Sequence, residues 1–191
     1  MNAAAVVGPN AILQTAAALE AQGGRALAAR VFDAAGLALR LDDPPCEMVP
    51  QGDAAALLCA LHATLAPETA RRVAGEAGRR TGEYILAHRI PGPVQFMLRI
   101  MPARFAGPAL MGAVARHAWT FAGSGTVSCE MRPRVALVIG DNPLAVDGCD
   151  WHCAVFETLF RRLVHPRARV DHPMCCARGN GLCRFEVDTG G

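Results

Sequence analysis

Lysine is absent from this 191-residue chain, in which all 19 basic residues are arginine. That excludes Schiff-base catalysis, a lysine general base and the lysine of phosphate-binding loops. Aromatic residues make up only 5% of the chain, so its core has to be built from aliphatic side chains and alanine, which favours closely packed helices. Neither sign of charge dominates, since 19 arginines face 17 carboxylates; a nucleic-acid footprint made from net charge is excluded. The longest apolar runs, Val94 to Met101 and Val135 to Ile139, fall well short of the roughly 20 residues that cross a bilayer. The first 22 residues lack a basic flank and are broken by Gly8-Pro9, which is not the pattern of an export signal, so a cytoplasmic protein is expected. With 52% hydrophobic and 19% charged residues the chain is not disordered, and its length suits one domain spanning 1–191.

That domain divides into a mostly helical part, 1–118, and a mixed strand and helix part, 119–191. Asn10 can cap a helix carrying Ile12, Ala16 and Leu19, ended by Gly23-Gly24. A second helix with Leu27, Val31, Ala35 and Ala38 stops at Asp42-Asp43-Pro44-Pro45. Asp53 opens a third, with Leu57, Leu58, Leu61 and Leu65, and Pro67 suits the first position of a fourth that runs to about His88. Gly75, Gly78 and Gly82 cost stability inside that helix, which points to a close backbone approach. Two shorter helices follow between prolines. From Trp119 the period changes to strands: Val127, Cys129 and Met131 alternate, and Val135 to Ile139 is continuous. Trp151, Val155, Leu159 and Leu163 then mark a helix, and the remainder reads as strands at about 168–172 and 182–187 joined by a Cys/Gly-rich turn. Gly123-Ser124-Gly125 lies between strands in this reading and lacks the third glycine of a dinucleotide fingerprint, so it reads as a tight turn.

Five of the eight cysteines crowd into the last quarter. Without an export signal they do not read as a disulfide framework, and Cys149-x3-Cys153 and Cys175-Cys176 lack the spacing of a redox pair. Cys149, His172, Cys175 and Cys183 form a Cys-x22-His-x2-Cys-x7-Cys pattern, three thiolates and an imidazole of the kind that complete tetrahedral zinc. The ion would staple the last helix onto a hairpin and, with four protein ligands, would be structural. On the residues alone Cys176 or Cys153 could replace a neighbour, His152 could stand in for His172, and buried reduced cysteines are the plainer alternative.

The cysteine-rich hairpin, with Asn142-Pro143, Cys149-Asp150-Trp151, Glu157 and the stretch from Cys175 to Phe185, resembles the 4-vinyl-reductase-domain family. Arg79 to Tyr84 and Trp119 to Gly125 extend the resemblance toward its bacteriochlorophyll-biosynthesis branch. The resemblance implies an α/β (α+β) fold like that of vesicle-trafficking-complex subunits, with N-terminal helices packed on a twisted antiparallel sheet around a lipophilic pocket, a zinc-stapled C-terminal hairpin, and a homodimer. In members of that family that sense aromatic compounds zinc sits beneath the pocket, and the resemblance puts His172 where some relatives carry Glu.

The implied role lies in photosynthetic pigment synthesis: binding a divinyl Mg-porphyrin or protochlorophyllide-type tetrapyrrole and supporting reduction of its 8-vinyl (older 4-vinyl) group as a carrier or presenting subunit, alongside other enzymes of the pathway. The literal alternative is a 4-vinyl reductase fed by an external donor, and a weaker one is a small-molecule sensor. A flat apolar macrocycle calls for an aliphatic slot, for which Phe96, Met97, Ile100, Met101, Phe105, Met111 and Trp119 are candidates. His117 or His88 could offer an axial contact to magnesium, and Arg99, Arg104 and Arg116 could pair with a carboxylate. The same residues also suit ordinary helix packing.

Overall fold

The computed structural model describes residues 5–189. Pro9 precedes a 25-residue helix, α1 (Asn10–Ala34), so Asn10 is its first helical residue and not its cap. Gly23 and Gly24 leave helical geometry inside it, Gly24 with φ +73°, a conformation that favours glycine; α1 is therefore a broken rod, its two helical segments meeting at the glycine pair where the first was expected to end. Gly36 (φ +71°) separates this rod from α2 (Ala38–Asp42). The aspartate-proline turn ends α2, not the rod. Helix α3 (Gln51–Thr64) starts two residues before Asp53, while α4 (Pro67–His88) runs between the expected bounds with its proline in the first turn. Helices α5 (Gly92–Ile100) and α6 (Ala103–Arg116) follow.

Trp119–Ala122 forms a short helix, α7, not a strand. The Gly123-Ser124-Gly125 turn that follows is pinned by Gln51, whose Oε1 accepts the Ser124 amide at 2.8 Å and whose Nε2 donates to Ser124 Oγ at 3.0 Å. It is a turn that fastens the two halves of the chain. The sequence pattern also misses a two-residue antiparallel pair, β1 (Val6–Val7) with β2 (Val49–Pro50). Segments this short carry no periodicity to read.

The main sheet is antiparallel throughout, in the order β3 (Thr126–Glu130), β4 (Val135–Gly140), β6 (Leu182–Asp188), β5 (Arg169–Met174). Alternation sorts its faces. Cys183, Phe185 and Val187 of β6 are buried toward the helices, whereas Arg184 lies on the other face and donates to Glu130 on β3 and to Glu186. Helix α8 (Asp150–Leu163) buries Trp151, Val155, Phe156, Leu159, Phe160 and Leu163. It lies between the β5–β6 side of the sheet and α4, which in turn packs on α1; helix α6 covers β3 and β4. Gly78 and Gly82 face α8: a Cβ at Gly78 would fall on the Trp151 carbonyl oxygen, and one at Gly82 would come within 2.7 Å of Thr158 Cβ. Gly75 meets nothing within 4 Å, so the close approach involves two of the three glycines. The fold is thus α+β, with helices on one face of an antiparallel sheet.

Candidate metal centre

The site forms where the start of α8 meets the β5–β6 hairpin. Gly148 (φ +86°) and Cys149 (φ +47°) are both left-handed and turn the chain into α8, with Cys149 at its N-cap. Across from them, β5 leads into Cys175 and a 3-10 turn, Cys176–Arg178, closed by left-handed Gly179. Asn180 locks this knuckle: its Oδ1 accepts the Cys175 amide at 3.1 Å, and its own amide donates to the Cys175 carbonyl at 3.2 Å. Cys183 then returns as the second residue of β6.

This arrangement brings Cys149, His172, Cys175 and Cys183 together, their ligand atoms all within 4.8 Å of one another. Cys149 Sγ lies 3.8 Å from Cys175 Sγ and 3.9 Å from Cys183 Sγ. A tetrahedron with metal–thiolate bonds of about 2.3 Å has sulfur–sulfur edges of about 3.8 Å, so the spacing fits an ion at the centre. The three cysteines are fully buried. Both ring nitrogens of His172 are buried without a hydrogen-bond partner, a costly arrangement for an imidazole unless another ligand takes one of them. The ring stacks on Phe185, centroids 4.6 Å apart and planes within 11°, which fixes its orientation. These residues could hold a metal ion.

Charge in the cluster is uneven. Cys183 is held down to about 3 by its hydrogen bond with Cys149, by the neighbouring His172, by the Cys176 amide (3.3 Å) and by Asn142 Nδ2 (3.5 Å). Cys149 is pushed up by its bond with Cys183 and by burial. A thiolate is therefore ready at Cys183, and a cation would draw the remaining protons off its neighbours. Arg178 and Asp147 close the rim with an ion pair of 2.7 Å.

The other candidate ligands lie outside the set of four mutually close atoms, although the Cys176 thiol neighbours that of Cys183. Cys176 contributes its amide to Cys183, and Cys153 donates to the Gly148 carbonyl at 3.7 Å and is pushed up to about 12 by burial. Residue-type patterning did not single out Asn142 as a partner of Cys183 or Asn180 as the lock of the knuckle. The available signal was Asn180 between Gly179 and Gly181, a combination typical of a tight turn around a ligand atom.

His152 sits in an aromatic cluster with Trp151, Phe121, Phe156 and Phe185. Burial lowers it from 6.5 to about 4, so it stays neutral in the folded state where the unfolded chain already takes up a proton. Its contribution is intact above pH 6.5 and is lost as pH falls from there toward 4, by about 3 kcal/mol. Unfolding titrations of His152→Phe against the parent should show a shallower loss over that interval; parallel curves would assign the acid sensitivity to other groups.

The proposed slot residues do not surround an enclosed cavity. Met111 is fully buried and Met101 is partly buried against the core. Phe96, Met97, Ile100, Phe105 and Trp119 are 53–66% exposed, and His117 is exposed after the end of α6. The helices pack through Leu98, Ala106, Gly107 and Leu110, which leaves the larger apolar side chains outward, a reversal that periodicity cannot detect because it records an apolar face without showing whether that face meets core or solvent. Beside them an open groove of about 730 Å³ is lined by Glu83, Leu86, His88, Arg89, Ile90, Gln95 and Arg162, among others. Gln95 Nε2 donates to the carbonyls of Leu86 and Ile90 and shapes its floor.

No family model matches the chain. It is 42% identical over 187 residues to a protein of Cereibacter sphaeroides named bacteriochlorophyll synthase 23 kDa chain, covering 95% of this chain and 89% of that one. A protein of the same name from Rhodobacter capsulatus is 38% identical over 190 residues, covering 97% and 88%. At this identity, over almost the whole of both chains, the protein belongs to the family of the bacteriochlorophyll synthase 23 kDa chains.

Proposed function

We propose that the protein acts in bacteriochlorophyll synthesis by binding a divinyl Mg-porphyrin or protochlorophyllide-type pigment and presenting it for 8-vinyl reduction, with a structural zinc ion at the cysteine cluster. The observation that carries the reading is the open groove of about 730 Å³ at the end of α4, where an imidazole, two guanidinium groups and apolar side chains meet. His88 offers an imidazole to magnesium, Arg89 and Arg162 offer guanidinium groups to a carboxylate edge, and Leu86, Ile90 and Pro91 offer apolar wall. Phe96 and Ile100 lie on the exposed side of α5, one and two turns from Gly92 at the groove edge, where they extend the apolar surface available to a flat macrocycle. His117 and Trp119 lie beyond α6, outside the groove lining, and are peripheral to this reading.

The carrier role is favoured over the reductase because hydride delivery needs a cofactor site, and the glycine turn at Gly123 is occupied in fastening Ser124 to Gln51. That the relatives are named as one chain of a synthase agrees with a subunit role. Zinc is favoured by three thiolates with one imidazole at tetrahedral spacing; bound there with no open position, it supplies rigidity to the hairpin.

An absorbance titration with divinyl protochlorophyllide, before and after NADPH, tests the reading. Saturable binding without conversion is expected, weakened about tenfold in His88→Ala. Catalytic loss of the divinyl spectrum would make the protein a reductase, and equal affinity in the variant would remove the groove from consideration.

A further inference from the structure

From Tyr84 to Cys129 the chain contains no aspartate or glutamate. This stretch carries Arg89, Arg99, Arg104 and Arg116, so the rest of the chain holds 15 arginines against 17 carboxylates. The net positive charge of the protein therefore comes entirely from the segment that forms α5 and α6. The ion pairs of the described residues include none of these four arginines. Arg99 instead donates to the Arg162 carbonyl and to Gln95, and Arg104 lies over the Phe105 ring at 4.8 Å.

The same segment holds the largest exposed apolar side chains. Phe96 is 64% exposed, Ile100 66% and Phe105 54%, on helices anchored inward through Leu98 and Leu110. Helix α5 is too short to span a bilayer, and no helix of the described residues is long and apolar enough to do so. A short helix with one face wholly apolar, flanked by arginines and free of carboxylates, has the composition of an element that lies in a lipid headgroup layer.

We propose that α5 and α6 form an interfacial surface that docks the protein on an anionic lipid bilayer. The phenyl and aliphatic side chains enter the acyl boundary while the arginines meet headgroup phosphates, and neither helix carries a carboxylate to repel them. A second copy of this chain is a poorer occupant, because pairing two such faces would oppose arginine to arginine with no carboxylate between them. The proposal does not depend on pigment binding, and pigment-free vesicles keep the two questions separate.

Co-sedimentation of the full chain with phosphatidylcholine vesicles, with and without about one-third phosphatidylglycerol, tests it. Binding is expected to the anionic vesicles only and to weaken with salt. Phe96→Ser/Ile100→Ser and Arg99→Gln/Arg104→Gln should each lower partitioning about tenfold or more. Both pairs lie at exposed positions, and unchanged metal content and circular dichroism would verify their folding. Absence of parent binding to any vesicle, or equal binding by both variants, would overturn the proposal. So would self-association that the Phe96→Ser/Ile100→Ser pair abolishes while vesicle binding is lacking, which would assign the face to a second copy.

Discussion

Cys183→Ser is expected to reduce bound metal from one ion per chain to none and to destabilise the protein by about 5 kcal/mol or more, since structural zinc contributes on the order of 10 kcal/mol in free-standing sites. The effect should be this large because Cys183 joins both parts of the site. It touches Cys149 at the head of α8 and receives the Cys176 amide from the knuckle, so its loss separates the helix from the hairpin. A hydroxyl there also leaves two buried thiols and an unpartnered imidazole behind. Cys175→Ser should behave alike. Cys153→Ser and Cys176→Ser should keep the ion, because their thiols lie outside the cluster. Chelation should reproduce the Cys183 result in the parent, and acid should assist it, since thiolate ligands leave the metal as they take up protons. Metal content of the four variants, read beside their urea midpoints, decides the matter. Equal retention in all four would show that these cysteines are only buried apolar side chains.

Gly78→Ala should be the most damaging single-methyl change in the helical half, at about 3 kcal/mol. The added Cβ falls on the backbone oxygen of Trp151 and within 2.9 Å of Ala154 Cβ. Neither can move aside like a flexible side-chain tip, so α4 and α8 must separate. Because Trp151 lies two residues from Cys149, that separation also pulls on the metal centre, and weaker metal retention should accompany the lost stability. Gly75→Ala, in the same helix, provides the contrast. Nothing lies within 4 Å of its new methyl, and replacing a mid-helix glycine should stabilise by about 0.5–1 kcal/mol. Urea unfolding at constant slope would show midpoints moving in opposite directions; two shifts of one sign would mean that the α4–α8 contact is looser than its geometry indicates.

Helices were legible wherever apolar spacing ran for several turns between strong punctuation. Pro67 and the residues to His88 are the clearest case, and Trp151 through Leu163 read as a helix for the same reason. The break at Gly23-Gly24 was legible as well, because a glycine pair supplies the non-helical backbone that Gly24 adopts there. Short elements were not legible. Trp119–Ala122, Val6–Val7 and Val49–Pro50 are held by tertiary partners, such as the Thr120 carbonyl that accepts the Gly8 amide at 2.7 Å.

Sequence alone determined that the candidate metal ligands, thiols with an imidazole, gather in the last quarter of the chain, because that chemistry restricts which residues can meet at one ion, and the hairpin's glycines indicated how the chain would turn there. It also determined the arginine-only, carboxylate-free character of the segment from Tyr84 to Cys129. Only the tertiary structure decided which member of each alternative pair joins the cluster: backbone direction at left-handed Cys149 and in the Cys175 knuckle admits Cys175 and His172 and leaves Cys176, Cys153 and His152 outside. It decided, too, that Phe96, Ile100 and Phe105 look outward. Periodicity records that a helix has an apolar face, but whether that face meets core or solvent depends on the contacts the neighbouring elements offer, and in α5 the inward side is the one where Leu98 is buried and Gln95 and Arg99 donate to the carbonyls of Leu86, Ile90 and Arg162.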